Sequence, residues 1–501
     1  MPNTLPSTIL VSILLLGGLA RAGEPSLFAG PYIMGSSVYT ARDFATEIAA
    51  HVGQPTSADM LESLRRAIRN RYTRDGYVTP IISIPSQDLK SINPRLIIHE
   101  ARISGIEIRG DAGPYRTQID ELARGLRQSN LLRKEQLRTV LNRISQLPGI
   151  SSKPLFDPRP DSTNEFLLVL RVQYQAISGR VELNNGGTKG LGRELLAADV
   201  ATNDLLGLEE QMRFSGAISS HPDRYQYEEA RLQRTFSDTT LFVDVSGSKA
   251  VPDPDIYFRN VHFSAGLTQQ WQLPADRVVL LGASFNGDNG SVRDSATVPW
   301  IEDHERNVAL GLTLVQGGDV RPGRLFVGAQ RGLDVVGSAI NEGAYSEVDP
   351  GYTKYLLDTE QIIPVGGSWS LQINVNGQIT AAILPVLDRF TFGGIGFGAA
   401  FDPGTLSGDC GAEVSVQLAR VIRFKRWGLQ YLRLYVRSDT GVVWNNSPYF
   451  YHREEATSAG GGVLARWTHV LSTIELSTPL DQPRYVSAQS VRMFGSVAYV
   501  F

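Results

Sequence analysis

The densest cluster of chemically suggestive residues is DRFTFGGIGFGAAFDPGTLSGDCG, residues 388 to 411. Gly393, Gly394, Gly396 and Gly398 fall close to the G-x-G-x-x-G spacing that lets a backbone wrap a pyrophosphate. That chemistry needs a strand before the glycines and a helix straight after them, so that the helix N-terminus meets the phosphate. The residues that follow, FDPGTLSGD, forbid a helix. The glycines read instead as joints of a tight loop. The histidines, His51, His99, His221, His262, His304, His452 and His469, include no two at metal-ligand spacing. There is no G-x-S-x-G elbow, Walker loop or H-E-x-x-H. No catalytic residue, metal site or cofactor is expected, so the expected class is not an enzyme.

Composition narrows the alternatives. The chain has 501 residues, a net charge of −3 and 42% hydrophobic residues. No global basic field points to nucleic acid. Cys410 is the one cysteine, so no internal disulfide is expected. The start, MPNTLPSTILVSILLLGGLARAGEPS, holds a short apolar run from Ile9 to Leu19 and a small-x-small site at Ala20-Arg21-Ala22. This pattern reads as a cleaved signal peptide over residues 1–22, although no Lys or Arg precedes the apolar run. No other window is apolar enough to cross a membrane as a helix, so any further crossing must be made by strands.

Two styles of sequence follow. Up to about residue 173, helix and strand signals alternate. Thr40 is placed to cap a helix through ARDFATEIAAHVG, and Ser57 to cap ADMLESLRRAIRNRYTRDG. In the second of these Met60, Leu61, Leu64, Ile68 and Tyr72 make one apolar face. The strand-like runs YVTPIISIP and PRLIIHEARI come next. The order reads β-α-α-β-β, and the same order then repeats: ARISGIEIRG as a strand, YRTQIDELARGLRQ and RKEQLRTVLNRISQLPG as helices, and FLLVLRVQYQ as a closing strand. Two tandem copies suggest a repeated module.

From about residue 175 the helical period vanishes. Alternating segments of about ten residues, such as TTLFVDVSG, NVALGLTLVQGG and LQYLRLYVRS, are separated by Gly, Asn, Asp and Pro. The chain closes on VRMFGSVAYVF. Met493, Gly495, Val497, Tyr499 and Phe501 share one face of that strand, as a lipid-facing terminal strand with interfacial rings requires. Soluble propellers or stacked sandwiches are the competing reading of this region.

At this point the sequence resembles the two-partner secretion transporters, the outer-membrane haemolysin activation and secretion proteins. IRNRYTRDGYVTPIISIPSQDL carries the motif of the family's first POTRA domain at Tyr72, Gly76, Tyr77, Val78, Pro85, Gln87, Asp88 and Leu89. Leu147-Pro148-Gly149 is similar to the end of the last helix of the second POTRA domain. NGQITAAILPVLDRFTFGG is similar to the run into the sixth extracellular loop, which in the family folds back into the barrel. The loop signature falls on Gly398, Ala399, Ala400 and Phe401, followed by LSGDCG with Gly408 and Asp409. The family has an arginine where this chain has Ala399. That arginine pairs with an inner-wall aspartate in a segment similar to YVRSDTGVVW, where Asp439 and Gly441 hold the places; Arg437, two residues from Asp439 on the same face, is the candidate substitute.

The resemblance implies a transmembrane β-barrel of about sixteen antiparallel strands over residues 174–501, preceded by two small α+β POTRA domains at 23–101 and 102–173. It implies an unfolded secreted exoprotein as partner, contact with outer-membrane lipid, the barrel assembly machinery during biogenesis, and periplasmic POTRA domains. The family's pore-filling helix has no room in residues 23–27. Two other readings stay open: a barrel assembly factor, and a solute channel with periplasmic docking domains.

Overall fold

The computed structural model describes residues 27–501 apart from 79, 88–91, 101, 128–131, 159–164, 254–255, 275, 295–300, 318–320, 336, 342–347, 425, 448–451, 484–485 and 487–490. The expected signal peptide, residues 23–26, Asp88 and Leu89 lie outside the described residues. The chain forms two compact units. Residues up to Glu107 with Ala123–Leu137 and Leu155–Val169 make one; Ile108–Leu122, Arg138–Pro154 and Leu170–Phe501 make the other.

The first module contains β1 (Tyr32–Met34), α1 (Ala45–Ala49), α2 (Ala58–Arg74), β2 (Ile81–Ser83) and β3 (Arg95–His99), with β3 central in the order β1-β3-β2. Ser57 caps α2, accepting from the Met60 N–H at 3.2 Å. The helix ends at Gly76, whose φ of +85° is a conformation that glycine adopts at least cost. The first expected helix is shorter than its pattern: a 3₁₀ turn at Ala41–Phe44 leads into α1, which stops before Gly53. Asp43 accepts from both the N–H and the hydroxyl of Thr40 at that entry.

The apolar face of α2, Met60, Leu61, Leu64, Ile68 and Tyr72, packs with Phe28, Phe44, Ile82, Leu96 and Ile98. Each fully buried leucine or isoleucine there contributes roughly 1.5–3 kcal/mol. One carboxylate sits against this core. Glu100 is buried and accepts from the Tyr72 hydroxyl at 2.8 Å, the Ser37 N–H at 2.9 Å, and the hydroxyls of Ser36 and Ser37. Burial pushes its carboxyl up, but the bonds from Ser37, Tyr72 and Ser36 together hold it below the ordinary glutamate value.

The remaining motif residues have structural work. Gln87 forms a rung with the start of β3, donating to the Arg95 carbonyl at 3.1 Å and accepting from its N–H at 2.7 Å. Pro85 lies in the approach to it. Arg133 stacks over the Tyr77 ring at 4.7 Å and donates to its hydroxyl at 2.9 Å. Gly76 and Val78 exchange backbone bonds with Lys134 and Leu132. The Gly-Tyr-Val run is therefore a joint to the start of the next module's second helix.

The second module contains β4 (Arg102–Asp111), α3 (Arg116–Arg127), α4 (Lys134–Ser145), β5 (Ile150–Pro158) and β6 (Glu165–Tyr174), in the sheet order β4-β6-β5. β5 completes the repeated β-α-α-β-β order, although no strand-like run in the sequence marks it. Its sequence, ISSKPLFDP, is polar and carries two prolines, which hides an edge strand from any periodicity test. Gly149 ends the helical segment with φ +71°, and its carbonyl accepts from Gln175 at 3.0 Å.

The rest is a closed antiparallel barrel. Its strands are β7 (Ile177–Asn184), β8 (Leu195–Asn203), β9 (Glu210–Ser219), β10 (Tyr225–Phe236), β11 (Thr239–Asp253), β12 (Ile256–Leu273), β13 (Arg277–Asp294), β14 (Ile301–Gln316) and β15 (Gly323–Gly332). After the short β16 (Ala339–Asn341) come β17 (Thr353–Gly366) and β18 (Trp369–Thr380), then β19 (Phe390–Phe392) and β20 (Leu406–Gly408) in one loop. The circuit finishes with β21 (Cys410–Arg423), β22 (Leu429–Trp444), β23 (Arg453–Trp467), β24 (Val470–Asp481) and β25 (Arg492–Val500). Sixteen long strands close the ring, with β25 pairing β7; the short β16 pairs the end of β14, and β19 pairs β20 off the wall.

Alternation explains the closure. Val414, Val416 and Leu418 point outward on β21 while Glu413 and Ser415 are buried inward. Ile474 and Leu476 face out on β24; Glu475 and Ser477 face in. On β25, Met493, Val497, Tyr499 and Phe501 are exposed while Phe494, Ser496 and Ala498 are buried. An apolar outside and a polar inside suit a wall between lipid and a wet lumen. Among the described helices, none is long and apolar enough to cross a membrane.

The Glu100 network makes the first module acid-sensitive. A carboxyl held below its ordinary value adds stability above that value and loses it as pH falls through the folded value. Exchange of the α2 amides, corrected for intrinsic rates, is expected to rise below about pH 4.5. Glu100→Gln should weaken protection already at neutral pH and flatten the acid dependence. An unchanged pH profile in that variant would assign the acid response elsewhere.

Candidate functional site

The glycine-rich run belongs to the loop 381–409 between β18 and β21. It forms neither strand-turn-helix nor phosphate cradle. β19 and β20 make a small antiparallel ladder, Phe390↔Gly408, Thr391↔Ser407 and Phe392↔Leu406. The loop turns inward and carries its own apolar cluster: Phe390, Phe392, Ala400, Phe401 and Leu406 pack with Val443 of β22 and Ala456 of β23. Phe392 and Phe401 have ring centroids 6.0 Å apart.

The wall receives this loop at glycines. A Cβ on Gly441 of β22 would come within 2.2 Å of the Phe392 ring, and one on Gly411 of β21 within 2.0 Å of Phe390. Gly441 is thus a socket: the absence of a side chain admits the ring. A Cβ on Gly408, at the end of β20, would come within 2.8 Å of the Trp444 carbonyl and 2.9 Å of the Val443 Cβ. Ile395 and Leu387 rest on Gly186 and Gly290 in the same manner, so the loop touches several sides of the ring.

Asp439 is the electrostatic centre. It is 1% exposed, and the Arg437 guanidinium lies 2.8 Å from it. Arg437 also donates to the carbonyls of Ile395 and Gly396, at 2.9 and 2.7 Å. The other Asp439 oxygen accepts from the Ala399 N–H and the Ser458 hydroxyl, each at 3.3 Å. The cation that the resemblance puts on the loop comes here from the wall. An inward carboxylate needs such a partner, because an uncompensated buried charge is costly. Ala399 contributes its backbone alone, and Ala399, Ala400 and Phe401 are all buried.

Two further anchors were not legible beforehand. Near the loop's root, Asp388 lies 2.8 Å from Lys354 of β17 and also accepts from Tyr352 and Gln330. At its far end Asp402 lies 3.0 Å from Arg193 and 3.1 Å from Arg492. Asp409 accepts from the backbone N–H of Leu384 and Asn446, which pins the loop's return. Sequence spacing offers no signal for these pairs, since the partners lie far apart in the chain. The terminal Tyr499 and Phe501 rings stack at 6.1 Å on the outer side, and Phe501 exchanges two backbone bonds with Gly179. Asp199, Gln211, Arg213, Ser215, Glu229, Arg231 and Gln233 line a polar cavity of about 480 Å³ on β8–β10.

Comparison with known proteins follows the same division. Residues 32–100 match the model of the POTRA domain, ShlB-type, and residues 319–465 match that of the haemolysin secretion/activation protein ShlB/FhaC/HecB. The outer membrane transporter CdiB of Dickeya dadantii is 21% identical over 492 residues, covering 91% of this chain and 83% of that protein. The heme/hemopexin transporter protein HuxB of Haemophilus influenzae is 20% identical over 164 residues, 32% of this chain and 29% of its own. The solved structure of CdiB from Escherichia coli superposes with a TM-score of 0.70 at 18% identity, over 99% of this chain and 93% of that one. CdiB from Acinetobacter baumannii gives 0.60 at 14%, over 95% and 90%. These superpositions establish a shared fold.

Two tests follow from the loop contacts. Arg437→Ala leaves Asp439 buried without a cation and should cost roughly 3–5 kcal/mol in urea unfolding of the folded barrel. Adding Asp439→Ala should recover much of that loss, and Ala399→Arg should rescue Arg437→Ala while harming the unmodified chain. Strictly additive losses would contradict the pairing. Gly441→Ala overpacks the Phe392 socket by about 1–3 kcal/mol and should drive the loop off the wall. Single-channel recording should then find larger and more frequent openings; an unaltered trace would remove the socket's role.

Proposed function

The chain is a two-partner secretion transporter of the ShlB/FhaC/HecB type, an outer-membrane barrel with periplasmic POTRA modules, and from that premise we propose how its parts handle an exoprotein. The two modules, at 23–101 and 102–173, hold the cargo unfolded in the periplasm. An extended segment adds to an open sheet edge, where backbone bonds give affinity without demanding one sequence. The outer strands β2 and β5 offer such edges. The cargo then threads the polar lumen and folds outside. No nucleotide is available in that compartment, so folding on the far side supplies the direction.

The observation that carries this reading is the loop packed inside the ring by Arg437, Asp439 and the Phe392 socket. Apart from the short β19–β20 ladder, it is held by separate ion pairs, hydrogen bonds and one apolar seat rather than by strand pairing with the wall, so it suits a displaceable occupant of a protein-sized path. A steady diffusion pore would need that space left open. A barrel assembly factor is the third reading, and the two modules here are fewer than that class usually carries.

The test is secretion. The full chain and a variant lacking 27–173 are expressed in a bacterium with an outer membrane, beside the exported product of the neighbouring gene. Product in the medium or at the surface is expected only with the full chain. An inserted barrel with large steady conductance and no secretion would favour the channel.

A further inference from the structure

The weakest place in the ring is its closure. β25 and β7 pair over five residues, Ser496↔Asn184 to Val500↔Arg180, whereas every other adjacent pair of long strands matches eight or more. Backbone bonds from Gly179 to Phe501 and from Asn185 to Gly495 extend the ladder by one step at each end. Beyond Asn185, toward the extracellular side, it stops. The Met493 carbonyl there accepts from the Asn185 side chain, at 2.9 Å.

Side chains and the inward loop fill the gap. Arg492, at the start of β25, donates across it to the carbonyls of Gly186 and Gly187, at 3.4 and 3.2 Å. The same guanidinium donates to the Phe401 carbonyl and lies 3.1 Å from Asp402. Asp402 in turn lies 3.0 Å from Arg193, which sits on the connection between β7 and β8. One carboxylate of the loop is shared by a cation from each side of the seam. Ile395, on the same loop, packs against Gly186 on the β7 side. Arg492 is 9% exposed and Arg193 39%, so the inner arm is the stronger and the outer one is screened.

We infer that Asp402 is a positioning residue for barrel closure: the inward loop clasps the first and last strands together, and moving the loop off the wall frees the extracellular half of the seam. The wall would then gain width at the moment the lumen is vacated. This coupling does not depend on which cargo is carried.

Hydrogen exchange tests it on the full chain in lipid nanodiscs, comparing the native protein with Asp402→Asn and Asp402→Glu. Asp402→Asn should speed exchange of the 493–497 and 183–187 amides roughly tenfold, with β12 and β13 unchanged; Asp402→Glu should keep native protection. Native protection of the seam in Asp402→Asn would overturn the clasp. Faster exchange all round the ring would also overturn it, since that is a general loss of folding rather than a local release.

Discussion

Lipid offers no partner to a backbone N–H or C=O, so a sheet that crosses a membrane must have no edge. Everything in the second unit depends on this constraint. It demands that β25 return to β7, that each long strand have two neighbours, and that apolar and polar residues alternate. It also explains why the closure matters more than its length suggests. The five paired residues there carry the same obligation as the eighteen between β12 and β13. Where the ladder gives out, arginine side chains and a loop carboxylate take over its work.

A ring of this size has an interior that must be filled or wetted. Its polar lining accepts water, but the buried charges Asp439 and Lys354, and the partly buried Asp388, need partners at closer range. The loop supplies some and receives others. Arg437 serves the wall and the loop together, neutralising Asp439 and holding two loop carbonyls. Phe390 and Phe392 of the loop fit against the wall because it presents Gly411 and Gly441 opposite them. Charge pairing and shape thus select one seated position, and neither is so extensive as to make it permanent.

Much of this architecture is readable from residue order. Alternation on VRMFGSVAYVF gives the outer and inner faces of the last strand, and Ser57 with the Met60 to Tyr72 spacing gives α2 and its core. These signals are local, with periods of two and three to four residues. The edge strand β5 escapes because prolines and polar residues erase the period. The loop's setting is only half legible. Asp439, Gly441 and Phe401 stand out by resemblance, and Arg437 by its place beside Asp439. Nothing local marks Gly441 as the seat for Phe392, or joins Asp402 to Arg193 and Arg492, because those contacts are set by strand register around a closed ring. Glu100 is illegible for a similar reason: its partners are Ser36, Ser37 and Tyr72, far from it in the chain.

The central claim is that the exoprotein travels inside the ring. A photo-crosslinking side chain placed at Gln233, on the polar inner wall, or at Leu232, on the outer face, distinguishes the routes during active secretion. Cargo captured at Gln233 and not at Leu232 is the predicted result. Capture at Leu232 alone, or secretion that proceeds with no inner-wall adduct along β10, would contradict passage through the lumen.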